Sequence, residues 1–135
     1  MIEILLVDNN RGHVLLVKEC LSSGYRVSVT VVNDGEEALQ LLASELYRPH
    51  LVLLELKIPR LQGDEVLRRI RRRCPQLPVV VLTASKNQED VSLAYASGAN
   101  MYAEKPLDLE EFRKTILGIA RLWVAPMLGA RAAHA

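Results

Sequence analysis

Short, unbroken aliphatic runs recur along the chain and alternate with segments in which apolar residues lie three or four positions apart. The runs lack a strict apolar–polar alternation, which is typical of strands that are buried on both faces of a parallel sheet. Five such runs lie at residues 2–7, 27–32, 51–54, 79–82 and, more weakly, 100–103. They predict a sheet of five strands.

The segments that follow these runs have the spacing of amphipathic helices. Turn and capping residues support the boundaries: Asp34 precedes the second helix, Gly98 lies where the fourth should stop, and Asp108 can cap the fifth. Together the runs and helices make five βα units, an α/β fold with a parallel sheet covered on both faces. The apolar stripes are Val14, Val17 and Leu21; Leu39, Leu42 and Leu46; Val66, Leu67 and Ile70; Val91, Ala94 and Tyr95; and Leu109, Phe112, Ile116 and Ile119.

Length and composition are those of one domain with an aliphatic core. The chain has 135 residues, half of them hydrophobic but only one Phe and one Trp. We divide it into a domain at 1–125 and an alanine-rich C-terminal tail at 126–135. Cys20 and Cys74 are too far apart for a C-x-x-C pair and are interpreted as reduced thiols.

Charge and hydropathy exclude several classes of partner. The formal net charge is +1, so no overall field favours nucleic acid or an anionic membrane. No apolar run approaches the roughly 20 residues that a membrane-spanning helix needs, and the N-terminus lacks the basic flank of a signal peptide. We therefore predict a cytoplasmic protein.

Polar residues gather where the predicted strands end. Asp8 follows the first run, Glu55 the third, Thr83 ends the fourth, and Lys105 follows the fifth. The carboxyl ends of parallel strands meet at one edge of the sheet, which is where such folds carry their functional groups. Carboxylates, a hydroxyl and an ammonium are the groups needed to hold Mg²⁺ and receive a phosphoryl group.

Four blocks, at residues 4–10, 51–59, 79–84 and 98–106, together resemble the signature blocks of response-regulator receiver domains. The resemblance covers residues 1 to about 123 and implies a doubly wound, flavodoxin-like sheet of order 2-1-3-4-5. Residues 119–123 are also loosely similar to stand-alone receivers paired with bacterial phytochrome kinases.

The resemblance also implies residue roles. Thr83 corresponds to the switch hydroxyl, Lys105 to the phosphate-pairing lysine, Tyr102 to the rotating aromatic and Asp8 to the first residue of an acidic pair. The peptide bond before Pro106 corresponds to one that is usually cis in the family.

Two departures from the family pattern concern the phosphorylation site. Glu55 stands where the family has its phosphate-accepting aspartate, and Asn9 stands where it has a second acidic residue. Glutamate moves the carboxylate by about one C–C bond, a displacement that in-line transfer tolerates poorly. Asn9 brings no charge, which weakens a hard-cation site. Asp8, Asn9 and Glu55 are thus weak Mg²⁺ candidates, and we expect no obligatory cofactor.

Glu55 has two interpretations. Its longer side chain can reach toward Lys105 and Thr83 and partly imitate a phosphorylated aspartate, with less charge and fewer acceptor oxygens than a phosphoryl group. Alternatively, it forms only a buried ion pair with Lys105. Lys57 is expected to face solvent, although it can reach the same pocket.

Two further features suggest surfaces rather than chemistry. The stretch 68–73 contains five arginines without interleaved aromatics, so we interpret it as a solvated helix face, with an acidic protein partner as the second reading and no nucleic acid. His13, His50 and His134 lack metal-ligand spacing.

The C-terminal helix carries additional apolar residues, which predict a homodimer: Leu117, Ala120, Trp123, Val124, Met127 and Leu128.

The leading hypothesis is a non-enzymatic, atypical receiver that relays signals between a histidine kinase or other signalling protein and a partner by protein contact, with Mg²⁺-dependent phosphorylation impaired or absent. The alternative is a receiver that still accepts a phosphoryl group from a histidine kinase. A small flavodoxin-like ligand binder is a third possibility, but residues 9–12 contain a single glycine and form no phosphate-cradling loop.

Overall fold

The structure is a computed structural model that describes the backbone of residues 1–134 and the side chains of residues 1–129. Strands and helices alternate through most of this range. The strands are β1 (Ile2–Val7), β2 (Val27–Val32), β3 (Leu51–Leu54), β4 (Val79–Thr83) and β5 (Met101–Glu104). The helices are α1 (Arg11–Gly24), α2 (Gly35–Ala43), α3 (Gly63–Arg73), α4 (Gln88–Ser97), α5 (Leu109–Ile119), a π-helical segment (Ala120–Val124) and α6 (Ala125–His134).

The five strands form one parallel sheet in the order β2-β1-β3-β4-β5. β1 lies in the centre, with Leu5 opposite Thr30 of β2 on one side and Val52 of β3 on the other. The predicted fold class is therefore confirmed.

Alternate residues of each central strand supply the two halves of the core. Ile4 and Leu6 pack toward α1 and α5, where they meet Phe112, whereas Leu5 and Val7 pack toward α2, α3 and α4. Because consecutive side chains of a strand point to opposite faces, an unbroken aliphatic run fills both halves. The helices thus cover both faces of the sheet.

The second helix is shorter than its apolar stripe predicted. α2 ends at Ala43, and Leu46 is 98 % exposed, so its inclusion in the buried stripe was wrong. Ser44 has an extended backbone, and its hydroxyl accepts a hydrogen bond from the Leu46 amide. This local bond competes with the helical one and stops the helix.

The C-terminal segment continues α5 rather than leaving the domain. Residues 120–124 form a π-helical turn, and α6 extends to His134 through the segment assigned to a tail. Pro126 lies just after the π-helical turn and removes one backbone donor from the continuous helix. The domain boundary at residue 125 stays a prediction, and Ala135 lies outside the described residues.

Two other backbone expectations can be compared with the structure. The described chain has no cis peptide bond, so the cis bond before Pro106 that the resemblance implied is wrong; trans is the more stable X–Pro isomer by about 0.5–1 kcal/mol. None of the helices in the described range combines the length and apolarity that a bilayer span requires.

Candidate functional site

A pocket lies at the carboxyl edge of the sheet, where β1, β3 and β4 end. Asp8 is the first residue after β1, Glu55 the first after β3, and Thr83 the last of β4, and all three line it. Lys105 follows β5 and reaches the same carboxylates. The structure therefore places these four side chains at one edge of the sheet.

The Lys105 ammonium is the centre of the site. Its Nζ lies 2.6 Å from Asp8 Oδ2, 3.0 Å from Glu55 Oε1 and 3.0 Å from His13 Nδ1. Lys105, Asp8 and Glu55 are each less than one-tenth exposed. An ammonium has three donors, so these three contacts saturate it.

The remaining carboxylate oxygens also have donors from the chain itself. Asp8 Oδ1 accepts a hydrogen bond from the Asn10 amide at 2.9 Å, and Glu55 Oε2 accepts one from the Lys57 amide at 3.2 Å. All four carboxylate oxygens are therefore engaged without any bound ligand. Buried charges that are paired and hydrogen-bonded in this way are tolerated in a protein interior.

Thr83 contrasts with its neighbours. Its hydroxyl is buried, with the residue 1 % exposed, and Oγ1 has no hydrogen-bond partner among the described residues. Buried hydroxyls without a partner are uncommon. Glu55 therefore makes no hydrogen bond to the Thr83 hydroxyl.

Tyr102 lies beside the pocket rather than in it. Its hydroxyl donates to the Ser85 carbonyl at 2.8 Å, and its amide donates to the Tyr95 hydroxyl at 3.0 Å. Burial raises the pKa of the Tyr102 phenol. The ring is thus held against the loop between β4 and α4.

Asn9 and Lys57 line the pocket with exposed side chains. Asp8 and Glu55 are the carboxylates that could contribute to a cation site, with the Asn9 amide as a third oxygen donor. No group of three or more His, Cys, Asp or Glu side chains converges to hold a metal within the described part of the chain. Lys105 contacts both carboxylates, so a cation held at this site would share them with a buried ammonium.

His13 is a site residue that the sequence reasoning missed. Because lysine can only donate, Nδ1 of a neutral ring accepts the Lys105 contact. Burial, and next the Lys105 charge, lower the pKa of His13. Its ring also packs edge-on against Phe112, with centroids 5.2 Å apart. The available signal was its place in the first turn of the helix after β1, which lies at this edge in any doubly wound sheet.

Comparison with known families shows which family the chain belongs to. The model of the response regulator receiver domain matches residues 4–117. The chain belongs to the response regulator receiver family. It is therefore a receiver of the two-component signalling type, a class that interacts with histidine kinases or other signalling proteins.

Relatives share about a third of their residues with this receiver. It is 35 % identical over 128 residues to the probable methanogenesis regulatory protein FilR2 of Methanothrix harundinacea, covering 90 % of this chain and 83 % of that protein. It is 34 % identical over 129 residues to response regulator Rcp1 of Synechocystis, covering 90 % and 88 %. It is 38 % identical to response regulator MprA of Mycolicibacterium vanbaalenii, but spans only 51 % of that protein.

Solved receivers have the same architecture. The Mn²⁺-bound form of Rcp1 superposes with a TM-score of 0.85 at 34 % identity, covering 91 % of this chain and 94 % of that one. The phosphorylated cyanobacterial phytochrome response regulator RcpA superposes with a TM-score of 0.86 at 32 % identity, covering 92 % and 94 %. The similarity to phytochrome-associated receivers is confirmed.

Proposed function

We propose that this receiver is atypical: it relays signals by protein contact, and Mg²⁺-dependent phosphorylation of its pocket is impaired or absent. The observation that carries the proposal is the position of the Lys105 ammonium, which lies within 3.0 Å of oxygens of both Asp8 and Glu55. The two groups that would bind a cation therefore already share one cation of the chain itself, which offsets one of their two negative charges.

The small number of charged ligands in the pocket supports the proposal that Mg²⁺ binds weakly. Asp8 and Glu55 are the pocket's two carboxylates, and Asn9 adds only an amide oxygen. A hard divalent cation binds more weakly as charged ligands are lost. Mg²⁺ must also compete with Lys105 for both carboxylates, and breaking a buried pair leaves an uncompensated charge at a cost of about 3–5 kcal/mol.

The orientation of the Glu55 carboxylate also supports the proposal that phosphorylation is impaired or absent. Glu55 turns its Oε1 toward Lys105 and its Oε2 toward the Lys57 amide. A carboxylate fixed on both sides is poorly placed for in-line attack on a phosphorus atom, since misplacement by about 1 Å can cost about 100-fold in rate.

The same contacts favour the plain ion pair over imitation of a phosphorylated state. Imitation requires a contact with the switch hydroxyl as well as with the lysine, and the Thr83 hydroxyl has no partner in the described chain. In the proposal, Glu55 fixes Lys105, and the output depends on which partner protein docks.

The proposed contact surface comprises α4, β5 and α5. Four large apolar side chains of its two helices are exposed: Leu93, Tyr95, Leu109 and Leu117. A histidine kinase or another cytoplasmic signalling protein is the proposed partner. Nucleic acid and membrane are not proposed.

A homodimer through the C-terminal helix stays part of the proposal, on a smaller surface. Ala120 and Val124 are buried in the chain's own core, Trp123 packs on it with Nε1 3.3 Å from Met101 Sδ, and Leu117 and Leu122 are exposed. We expect light scattering to give a dimer mass that falls with dilution. A monomer mass at every concentration contradicts the dimer.

The direct test is incubation with Mg²⁺ and a small phosphodonor such as acetyl phosphate, followed by intact-mass measurement. The proposal predicts no mass increase. A Mg²⁺-dependent increase of one phosphoryl group, lost on Glu55→Gln, would establish the competing function, a receiver that accepts a phosphoryl group on Glu55. The unpartnered Thr83 hydroxyl and the retained Lys105 are the observations that favour that competitor.

A further inference from the structure

The arginines of α3 divide into two groups with different surroundings. Arg68 pairs with Asp64 and Glu65, and Arg71 donates to the Gly98 and Leu77 carbonyls. The guanidinium groups of Arg68 and Arg71 are therefore already bound by other groups of the same chain. Arg69, Arg72 and Arg73 are exposed and line a hollow beside α2.

The hollow has an apolar floor. Leu39, Leu42 and Ile70 lie beneath the arginines, and Cys74 closes one end. A second hollow shares Leu42 and Cys74 and continues past Arg48 to residues that precede β3 and β4: Pro49, His50, Leu77 and Pro78. We call the two hollows together the α2–α3 groove. It lies at the amino-terminal edge of the sheet, opposite the Lys105 pocket.

The rim of the groove carries an excess of positive charge. Arg48, Arg69, Arg72 and Arg73 line it, and no carboxylate does among the described residues. Glu65 lies within 4 Å of Arg69 and Arg72, but it is shared with Arg68, and its hydrogen bonds to Arg68 and Arg69 lower its pKa. Among the residues with described side chains, Arg73 donates only to the Ala43 carbonyl, at 3.3 Å.

The groove walls are held in place before any partner binds. Arg71 Nη1 donates to the carbonyls of Cys74, Pro75 and Leu77, so the loop between α3 and β4 is fixed to the helix. Pro49, Pro75 and Pro78 restrict the backbone further. A preformed site avoids the entropy cost of ordering loops on binding.

We infer that the α2–α3 groove binds an acidic, amphipathic peptide segment of a partner protein. Leucine-type side chains of the segment fill the floor, and its carboxylates pair with Arg69, Arg72 and Arg73. Arginine suits this role because its planar guanidinium binds carboxylates through two hydrogen bonds. Nucleic acid fits the surface less well, because an aliphatic floor offers no flat aromatic rings for base stacking.

The inference is independent of the proposed phosphorylation defect, because no residue of the groove contributes to the Lys105 pocket. The probe is a synthetic fluorescent helical peptide with Leu on one face and Glu on the other. Its control has Gln in place of every Glu. Binding to the full chain is followed by fluorescence anisotropy at low and high salt.

We expect the Glu peptide to bind at low salt and the Gln peptide to bind at least tenfold more weakly, a difference of about 1.4 kcal/mol. Arg72→Glu combined with Arg73→Glu should weaken the Glu peptide by tenfold or more. Arg121→Glu reverses the charge of an exposed arginine in the π-helical segment, outside the groove, and should change binding by less than twofold.

A separate measurement tests whether the peptide binds in the groove. Cys74 lines the groove and is half-buried, whereas Cys20 is buried. Bound peptide should slow alkylation of Cys74, read by mass spectrometry of proteolytic fragments. The inference is overturned if neither peptide binds, if both bind equally with Cys74 unprotected, or if a single-stranded oligonucleotide competes the Glu peptide off and binds more tightly.

Discussion

At the residue scale, the molecule depends on one buried ammonium between two buried carboxylates. Lys105, Asp8 and Glu55 are buried charged groups, and each is tolerable only because the others are present. His13 adds a neutral third acceptor. The strand ends predicted the first three residues, since that edge is fixed by the fold. His13 could not be predicted with them, because the helix rotation that points it inward depends on packing against Phe112.

Replacing Lys105 with Met should destabilise the fold by about 3–5 kcal/mol, because Asp8 and Glu55 are left buried side by side without a counter-charge. Urea denaturation measures the loss. Lys86→Met is the matched control: it removes only the exposed pair with Glu104 and should change stability little. Adding Glu55→Gln to Lys105→Met should recover part of the loss. If both lysine variants are equally stable, the buried network does not hold the pocket together.

The lowered pKa of His13 makes a pH prediction. Between the ordinary value of 6.5 and the lower folded value, the unfolded chain binds a proton that the folded chain resists. The stability contributed by neutral His13 is therefore complete above pH 6.5 and is lost as pH falls through that window. His13→Gln, which can still accept from Lys105, lacks this loss.

The two proteins should accordingly be compared by urea denaturation at several pH values. The stability difference between native protein and His13→Gln should shift in favour of the variant as the pH is lowered below 6.5. A difference that stays constant with pH contradicts the lowered pKa of His13 in the folded protein.

At the element scale, the helix ends show what local patterns can and cannot predict. Gly98 was predicted to end α4, and it does so in the left-handed region, with φ 115°. The end of α2 was predicted too late, because the stripe included Leu46 and ignored the Ser44 hydroxyl that competes for its amide. The clamp formed by Arg71 was also unforeseen, since its oxygen acceptors come from two separate loops, one before β4 and one before β5.

Gly98→Ala should destabilise the protein by about 1–3 kcal/mol, because a non-glycine residue is strained in the left-handed region. The new Cβ also lies 3.0 Å from Arg71 Nε, so it disturbs the Arg71 clamp. Gly118→Ala in α5 is the opposite case. No atom lies within 4 Å of its added Cβ, and alanine should stabilise the helix by about 0.5–1 kcal/mol. Thermal unfolding of both variants measures the contrast; a destabilised Gly118→Ala contradicts it.

At the scale of the whole molecule, the sequence predicts the fold more completely than it predicts the function. Five aliphatic runs and five helical stripes were enough for the doubly wound class, because few topologies bury strands on both faces. The order 2-1-3-4-5 came from family resemblance and agrees with the sheet. The C-terminal helix was predicted to carry Trp123 and Leu128, but the π-helical turn within it was not foreseen, since an inserted residue in a helix leaves no local signal.

The whole pocket, rather than Glu55 alone, accounts for the proposed loss of phosphorylation. Asn9 removes a charge, and the Glu55 side chain is held on Lys105. The restoring variants are Glu55→Asp and Glu55→Asp combined with Asn9→Asp. The shorter aspartate should release Lys105, and the second carboxylate should supply the missing charge. The matched control is Asn87→Asp, which adds the same charge at the cap of α4.

The measurement that tests this account most directly is calorimetric Mg²⁺ titration of the native protein and these variants. The account predicts negligible Mg²⁺ binding by the native protein and by Asn87→Asp, and weak binding by Glu55→Asp. The double variant should bind Mg²⁺ at least tenfold more tightly than Glu55→Asp, a difference in binding free energy of about 1.4 kcal/mol. Equal, negligible affinity in all variants, or native binding as tight as that of the double variant, would contradict it.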